Sequence, residues 1–236
     1  MVSPDDPGGG GSSTGDPGRP AHGITGVPDA GAFLARLTRL DPAALVRLRS
    51  SGARTSLWAR LPWDALVTRE VAGSGPADAT VSAGELLAEL TRDGGALPVR
   101  RDHEWRWPLP PPGGSAVESV ASAEVARLAA AAAGTLREAA SVGLGGRAVG
   151  QRALREALLD HVALVVTRPD GRSVEVPQRL VQAVVRMGFL ASGVDASGVR
   201  VCVAGRWVGL SAPYGVAWLP TVNTLTVMPI DTHPNG

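Results

Sequence analysis

The segment Asp102-His103-Glu104-Trp105-Arg106-Trp107 is the densest run of functional side chains in the chain. In an extended strand successive side chains alternate, so His103, Trp105 and Trp107 share one face and Asp102, Glu104 and Arg106 the other. Two indoles with an imidazole beside them could hold a ligand. The plainer account is that the indoles cover a core while the charged face meets water. The run leads into Pro108-Leu109-Pro110-Pro111-Pro112-Gly113-Gly114, a polyproline-like connector. A preformed polyproline turn and rigid indoles lose little entropy on binding, so Trp105, Trp107, Pro108, Pro110 and Pro111 are where a protein-docking surface is expected.

Other reactive residue types are poorly placed for chemistry. Cys202, the single cysteine, stands between Val201 and Val203 on a β pattern with no histidine arrangement beside it, and reads as a buried structural thiol. One cysteine allows neither an intrachain disulfide nor a thiolate metal cluster, which fits a reducing compartment. No histidine pair has HExxH spacing, and His161, after Asp160 at a helix end, is favoured there by the dipole. The run from Gly143 to Gly150 has the glycines of a phosphate loop but no preceding strand and no Lys-Ser/Thr, so it reads as a helix end and linker. Ser211, in Gly209-Leu210-Ser211-Ala212-Pro213, is not in a GxSxG elbow. The chain has no lysine, which excludes Schiff-base and general-base lysine chemistry. Glu85 with Glu89 and Glu156 with Asp160 share helix faces, but arginines lie nearby and a solvated surface accounts for both. No catalytic, cofactor-binding or metal-ligating residue is assigned.

The elements that must position these residues read as interleaved helices and hairpins. Residues 1–26, rich in Gly, Ser and Pro, are expected to form a disordered tail. Phe33, Leu34, Leu37 and Leu40 recur at helical spacing, and Asp41-Pro42 predicts a second helix through Leu45, Val46 and Leu48. Alternation from Leu57 to Val71, broken at Pro62, predicts a strand or hairpin. Ser82 with Glu85 forms a capping box for a helix ending at Gly94 and Gly95, and Leu97 to Trp107 reads as extended. Beyond the connector follow helices from Ser122 to Leu136 and around Leu154 to Leu159, then a hairpin across Pro169-Asp170-Gly171. After it come a helix opened by Pro177, a hairpin across Ala204-Gly205, and short strands at Val216–Leu219 and Leu225–Ile230. Without regular βαβ alternation, the class is α+β with mainly antiparallel strands. The expected organisation is a tail over 1–26, a subdomain over 27–107, a connector over 108–116 and a second subdomain over 117–236, the two subdomains standing apart or packing as one domain.

The net charge of +1 supplies no global attraction to nucleic acid or anionic lipid. No segment has the roughly 18 apolar residues of a membrane span, and the first 25 residues hold no secretory apolar core, so the expected location is the cytoplasm. Arginine without lysine, beside abundant Ala, Gly, Pro, Val and Leu, fits the codons of a GC-rich genome such as an actinobacterium's.

From Pro177 onward the chain resembles the end of a winged helix-turn-helix: a helix with Arg179 and Arg186, the turn Met187-Gly188-Phe189-Leu190, then a hairpin across Gly205. The resemblance covers some thirty-five residues. The Pro169-Asp170-Gly171 hairpin stands where that family has a further short helix. The resemblance implies DNA contacts from Arg179, Arg186 and Arg206. The first expectation is a non-enzymatic regulatory or protein-interaction protein whose partner is another protein and which needs no cofactor. A DNA-binding regulator is the second. A small-molecule-binding protein or enzyme, with a pocket beside the strand carrying Trp63, is the third.

Overall fold

The structure, a computed structural model, describes residues 20–142, 151–191 and 198–221. Most of the expected tail, the glycine run from Gly143 to Gly150 and the strand expected over Leu225–Ile230 lie outside the described residues. The chain packs as two compact units. Residues up to Pro62 and 68–107 make the first, and Trp63–Val67 with the chain from Pro108 onward make the second.

In the first unit, helix α1 (Val27–Leu40) has a proline in its first turn and buries Ala30, Phe33, Leu34 and Leu37 along one stripe. The expected second helix is not formed. Asp41 Oδ1 instead accepts the Ala43 N–H at 2.9 Å, a side-chain turn, and strand β1 (Leu45–Ser51) follows. The reason is period: Val46 and Leu48 are buried while Arg49 is exposed, an alternation that suits a strand and would scatter apolar groups around a helix. Strands β2 (Arg54–Arg60), β3 (Leu66–Ala72) and β4 (Ala79–Ser82) complete the order β4-β1-β2-β3, with β1 antiparallel to both its neighbours. Helix α2 (Ala83–Thr91) starts where Ser82 Oγ accepts the Glu85 N–H, as the capping box predicts, and packs on α1.

Residues 20–26, the last part of the expected tail, are bonded into this unit. Ala21 bridges to Ala96 and Ile24 to Gly73, while His22 Nδ1 accepts the Ile24 N–H at 3.0 Å and Nε2 lies 2.9 Å from the Gly94 carbonyl. Backbone pairing repays the ordering cost that composition alone sets against this stretch.

The second unit holds β5 (Ser115–Val120), α3 (Ser122–Val142), α4 (Gln151–Asp160), the hairpin β6 (Val162–Thr167) with β7 (Ser173–Pro177), α5 (Gln178–Arg186), and β8 (Val199–Ala204), β9 (Trp207–Ala212) and β10 (Gly215–Pro220). Its larger sheet runs β10-β9-β8-β5 with every pair antiparallel. Helix α5 buries Leu180, Val181, Ala183 and Val184 and packs on α3, α4 and the sheet. At Gly209 a Cβ would stand 2.5 Å from the Trp218 ring, so any larger residue opposite that indole forces it to move. Helices and mainly antiparallel strands make the fold α+β. Among the described residues no helix is long and apolar enough to cross a membrane.

Candidate functional site

The outward face of β1 and β2 is built by alternation. Burying Val46, Leu48, Leu57 and Ala59 turns Arg47, Arg49, Trp58 and Arg60 to the other side, and Arg47 stands directly opposite Trp58. Segment 98–107 is tied to this side of the unit along β4. The Arg101 N–H donates to the Thr80 carbonyl at 2.7 Å, the Thr80 N–H donates to Asp102 Oδ1 at 2.6 Å, and Arg100 reaches the Asp78 carbonyl at 2.9 Å.

The expected extended path through this segment is interrupted, because Asp102–Glu104 forms one turn of 3-10 helix. Asp102 turns back to β4, and Arg101 grips Glu104 through Nε and Nη2 at 2.5 and 2.6 Å. These bonds fix the turn, and with it His103 stands 81% exposed, away from the role of a neighbour to buried indoles.

Beyond the turn the two indoles come together. Their centroids are 5.6 Å apart with planes at 88°, and Trp105 Nε1 donates to the Trp107 carbonyl at 2.8 Å. The Arg47 guanidinium lies 5.8 Å from the Trp105 ring and that of Arg60 4.7 Å from the Trp107 ring. Each indole is thus held by a cation–π contact from the sheet. Both tryptophans remain half-buried.

Charge is tightly paired here. Arg47 takes Asp78 through two bonds at 2.7 and 2.6 Å, which holds the Asp78 carboxyl below the usual carboxylate range. The Arg101 bonds do the same for Glu104. For Asp102, burial is the largest influence and raises the pKa, but the Thr80 N–H and Arg100 together outweigh it and the carboxyl falls below its ordinary value. Arg47 and Arg60, the residues that hold the indoles, are not singled out by local sequence. The signal that could have found them is the pairing of alternating Arg and Trp on β1 and β2 with an aromatic segment elsewhere in the chain.

Pro108, Pro110 and Pro111 belong to the second unit, where Pro110 is half-buried and Pro108 and Pro111 are exposed, Pro111 lying near the β8–β9 turn at Gly205. Of the three arginines of the winged-helix resemblance, Arg179 and Arg186 stand on α5 and Arg206 at the β8–β9 turn. Arg179 is engaged: its guanidinium bonds Asp160 at 2.6 Å, Glu156 at 2.9 Å and the Trp63 carbonyl at 2.9 Å, and its side chain is 12% exposed. The Trp63 indole N–H returns a bond of 3.1 Å to the Arg179 carbonyl. A guanidinium held this way cannot also reach a phosphate without breaking three bonds. Arg186, in the last turn of α5, and Arg206, at the β8–β9 turn, are exposed. Cys202 is buried as its β pattern predicts, and burial pushes its thiol pKa up, away from nucleophilic chemistry. Among the described residues no group of three or more His, Cys, Asp and Glu side chains could hold a metal ion.

The fold is that of the bacterial sliding clamps. The DNA polymerase III subunit beta from Pseudomonas aeruginosa is similar with a TM-score of 0.52 at 13% sequence identity, over 84% of this chain and 63% of that one. The DnaN sliding clamp of the same organism bound to griselimycin is similar with a TM-score of 0.51 at 13% identity, over 92% of this chain and 69% of that one. The chain therefore spans about 63% of the clamp subunit it resembles, and the likeness is one of fold. In sequence, residues 25–107 match the domain of unknown function DUF8010, and residues 109–224 match the domain of unknown function DUF8185. No curated protein matches the chain.

Proposed function

We propose that this chain is a non-enzymatic, regulatory protein-interaction protein of the cytoplasm of a high-GC bacterium, and that it docks another protein through Trp105 and Trp107 and through Pro108, Pro110 and Pro111, which follow them in the chain. The observation that carries the reading is the indole pair. Two half-buried tryptophans, fixed by Arg47 and Arg60 and by a bond between them, are a preorganised anchor that loses little freedom when a partner covers it. The fold adds support, since the proteins that share it are described as sliding clamps and as a subunit of DNA polymerase III.

The helices carry arginines and carboxylates in near balance, and the most basic one, α5, has Arg179 locked in ion pairs. Protein is for that reason favoured over nucleic acid as the partner. The test is affinity capture from the native host with the wild-type chain, a Trp107→Ala variant and a Pro110→Ala variant, each confirmed folded by circular dichroism. Loss of the same specific partners from both variants is expected. Recovery of an unchanged set by both folded variants would sink the reading.

A further inference from the structure

The charge left over around the indoles identifies what kind of protein segment they take. Carboxylates on this side of the first unit are held by arginines: Asp78 by Arg47, Asp102 by Arg100, Glu104 by Arg101 and Glu70 by Arg54, while Glu85 lies within the field of Arg101. Arg49 reaches Asp78 only at 3.8 Å, on the oxygen that Arg47 holds at 2.6 Å, and its side chain is 54% exposed. Arg106, between the indoles in sequence, is exposed and has no ion pair among the described residues. Two guanidiniums, those of Arg47 and Arg49, thus share the single Asp78 carboxylate, and Arg106, next to both indoles in the chain, adds a further positive charge.

A row of stacked bases is a poor fit. Successive bases need aromatic faces that are open and roughly parallel, whereas these rings meet at 88° and each already has a guanidinium against it. Carboxylates are a good fit, because Arg binds them through two parallel bonds and the neighbouring indoles lower the local dielectric. Resting on the docking reading above, we propose that the occupant is an acidic peptide segment carrying a large apolar side chain. Its carboxylates pair with Arg49 and Arg106, and its apolar side chain packs on Trp105 and Trp107.

The full chain is titrated into a fluorescein-labelled peptide of alternating Asp/Glu and Leu/Phe, into the same peptide with Asn/Gln in place of the acids, and into an oligothymidylate, reading anisotropy. The acidic peptide is expected to bind and to weaken about tenfold from low to physiological salt, as steered charge pairs do. An Arg49→Ala/Arg106→Ala variant, with melting unchanged, is expected to lose about tenfold in affinity. Arg39→Ala, on the exposed side of α1, loses none. Equal binding of the amide peptide, undiminished binding by the double arginine variant, or tighter binding of the oligothymidylate would each overturn the acidic occupant. If the amide peptide binds equally and Trp107→Ala abolishes that binding, the docking surface stands and only the acidity fails. If no peptide binds and Trp107→Ala captures the same host proteins as wild type, both fail together.

Discussion

Asp78 is bonded by Arg47 and approached by Arg49, so its carboxyl is depressed by the Arg47 hydrogen bonds first and by charge second. A depressed carboxylate contributes stability that is fully present above its unfolded pKa, near 4, and is lost as pH falls through the lower folded value. With Asp102 and Glu104 shifted the same way, stability is expected to decline below about pH 4. Asp78→Asn should lower stability at neutral pH by at most about 1 kcal/mol, because the side chain is 42% exposed. Thermal melts of both proteins at neutral and acid pH should show the gap closing on acidification. Arg60→Ala should cost about 0.5–1 kcal/mol and alter tryptophan fluorescence without unfolding the chain; an unchanged emission spectrum would mean that the guanidinium does not touch the indole in solution. The indoles themselves are legible in the sequence as a cluster. The arginines that fix them are not, because Arg47 and Arg60 lie more than forty residues upstream and meet Trp105 and Trp107 only through sheet pairing.

Elements defined by local chemistry were readable, and those decided by competition were not. Ser82 with Glu85 and the Pro169-Asp170-Gly171 turn each specify one structure, and both form. Asp41-Pro42 serves equally as a helix opening or as a side-chain turn before a strand, and the period-two burial of β1 decides for the strand. The 3-10 turn at Asp102 is set by the Thr80 N–H, a partner twenty-two residues away. Two variants test elements directly. Ser82→Ala should cost about 0.5–1 kcal/mol, the low end for a cap, since its bond is long at 3.4 Å. Gly209→Ala should cost about 1–3 kcal/mol by overpacking, and adding Trp218→Leu should recover part of that loss in a double-mutant cycle. Equal melting of the single and double variants would show that the close approach to the indole is not the cause.

The two sequence-family matches meet beside the proline connector, yet the compact units do not part there alone. Trp63–Val67, from the first match, packs with the second unit, where Trp63 and Arg179 exchange bonds and Ala65, Leu66 and Val67 are buried. Residues 108–236 expressed alone should therefore lose about 3 kcal/mol or more of burial and bonding. Calorimetry should show a lower, broader transition than the full chain has, sharpened when a synthetic 61–69 peptide is added; a transition identical with and without that peptide would contradict the assignment. A last consequence follows from the bonds that Thr80 makes. Its N–H and carbonyl face away from β1, on the strand that ends the sheet, and both are occupied by Asp102 and Arg101. The aromatic segment thus seals an edge where a stray strand from another molecule could begin a fibril. Shelf life in concentrated solution should depend on Asp102, and an Asp102→Ala preparation should show thioflavin-positive aggregates long before its indoles lose a partner.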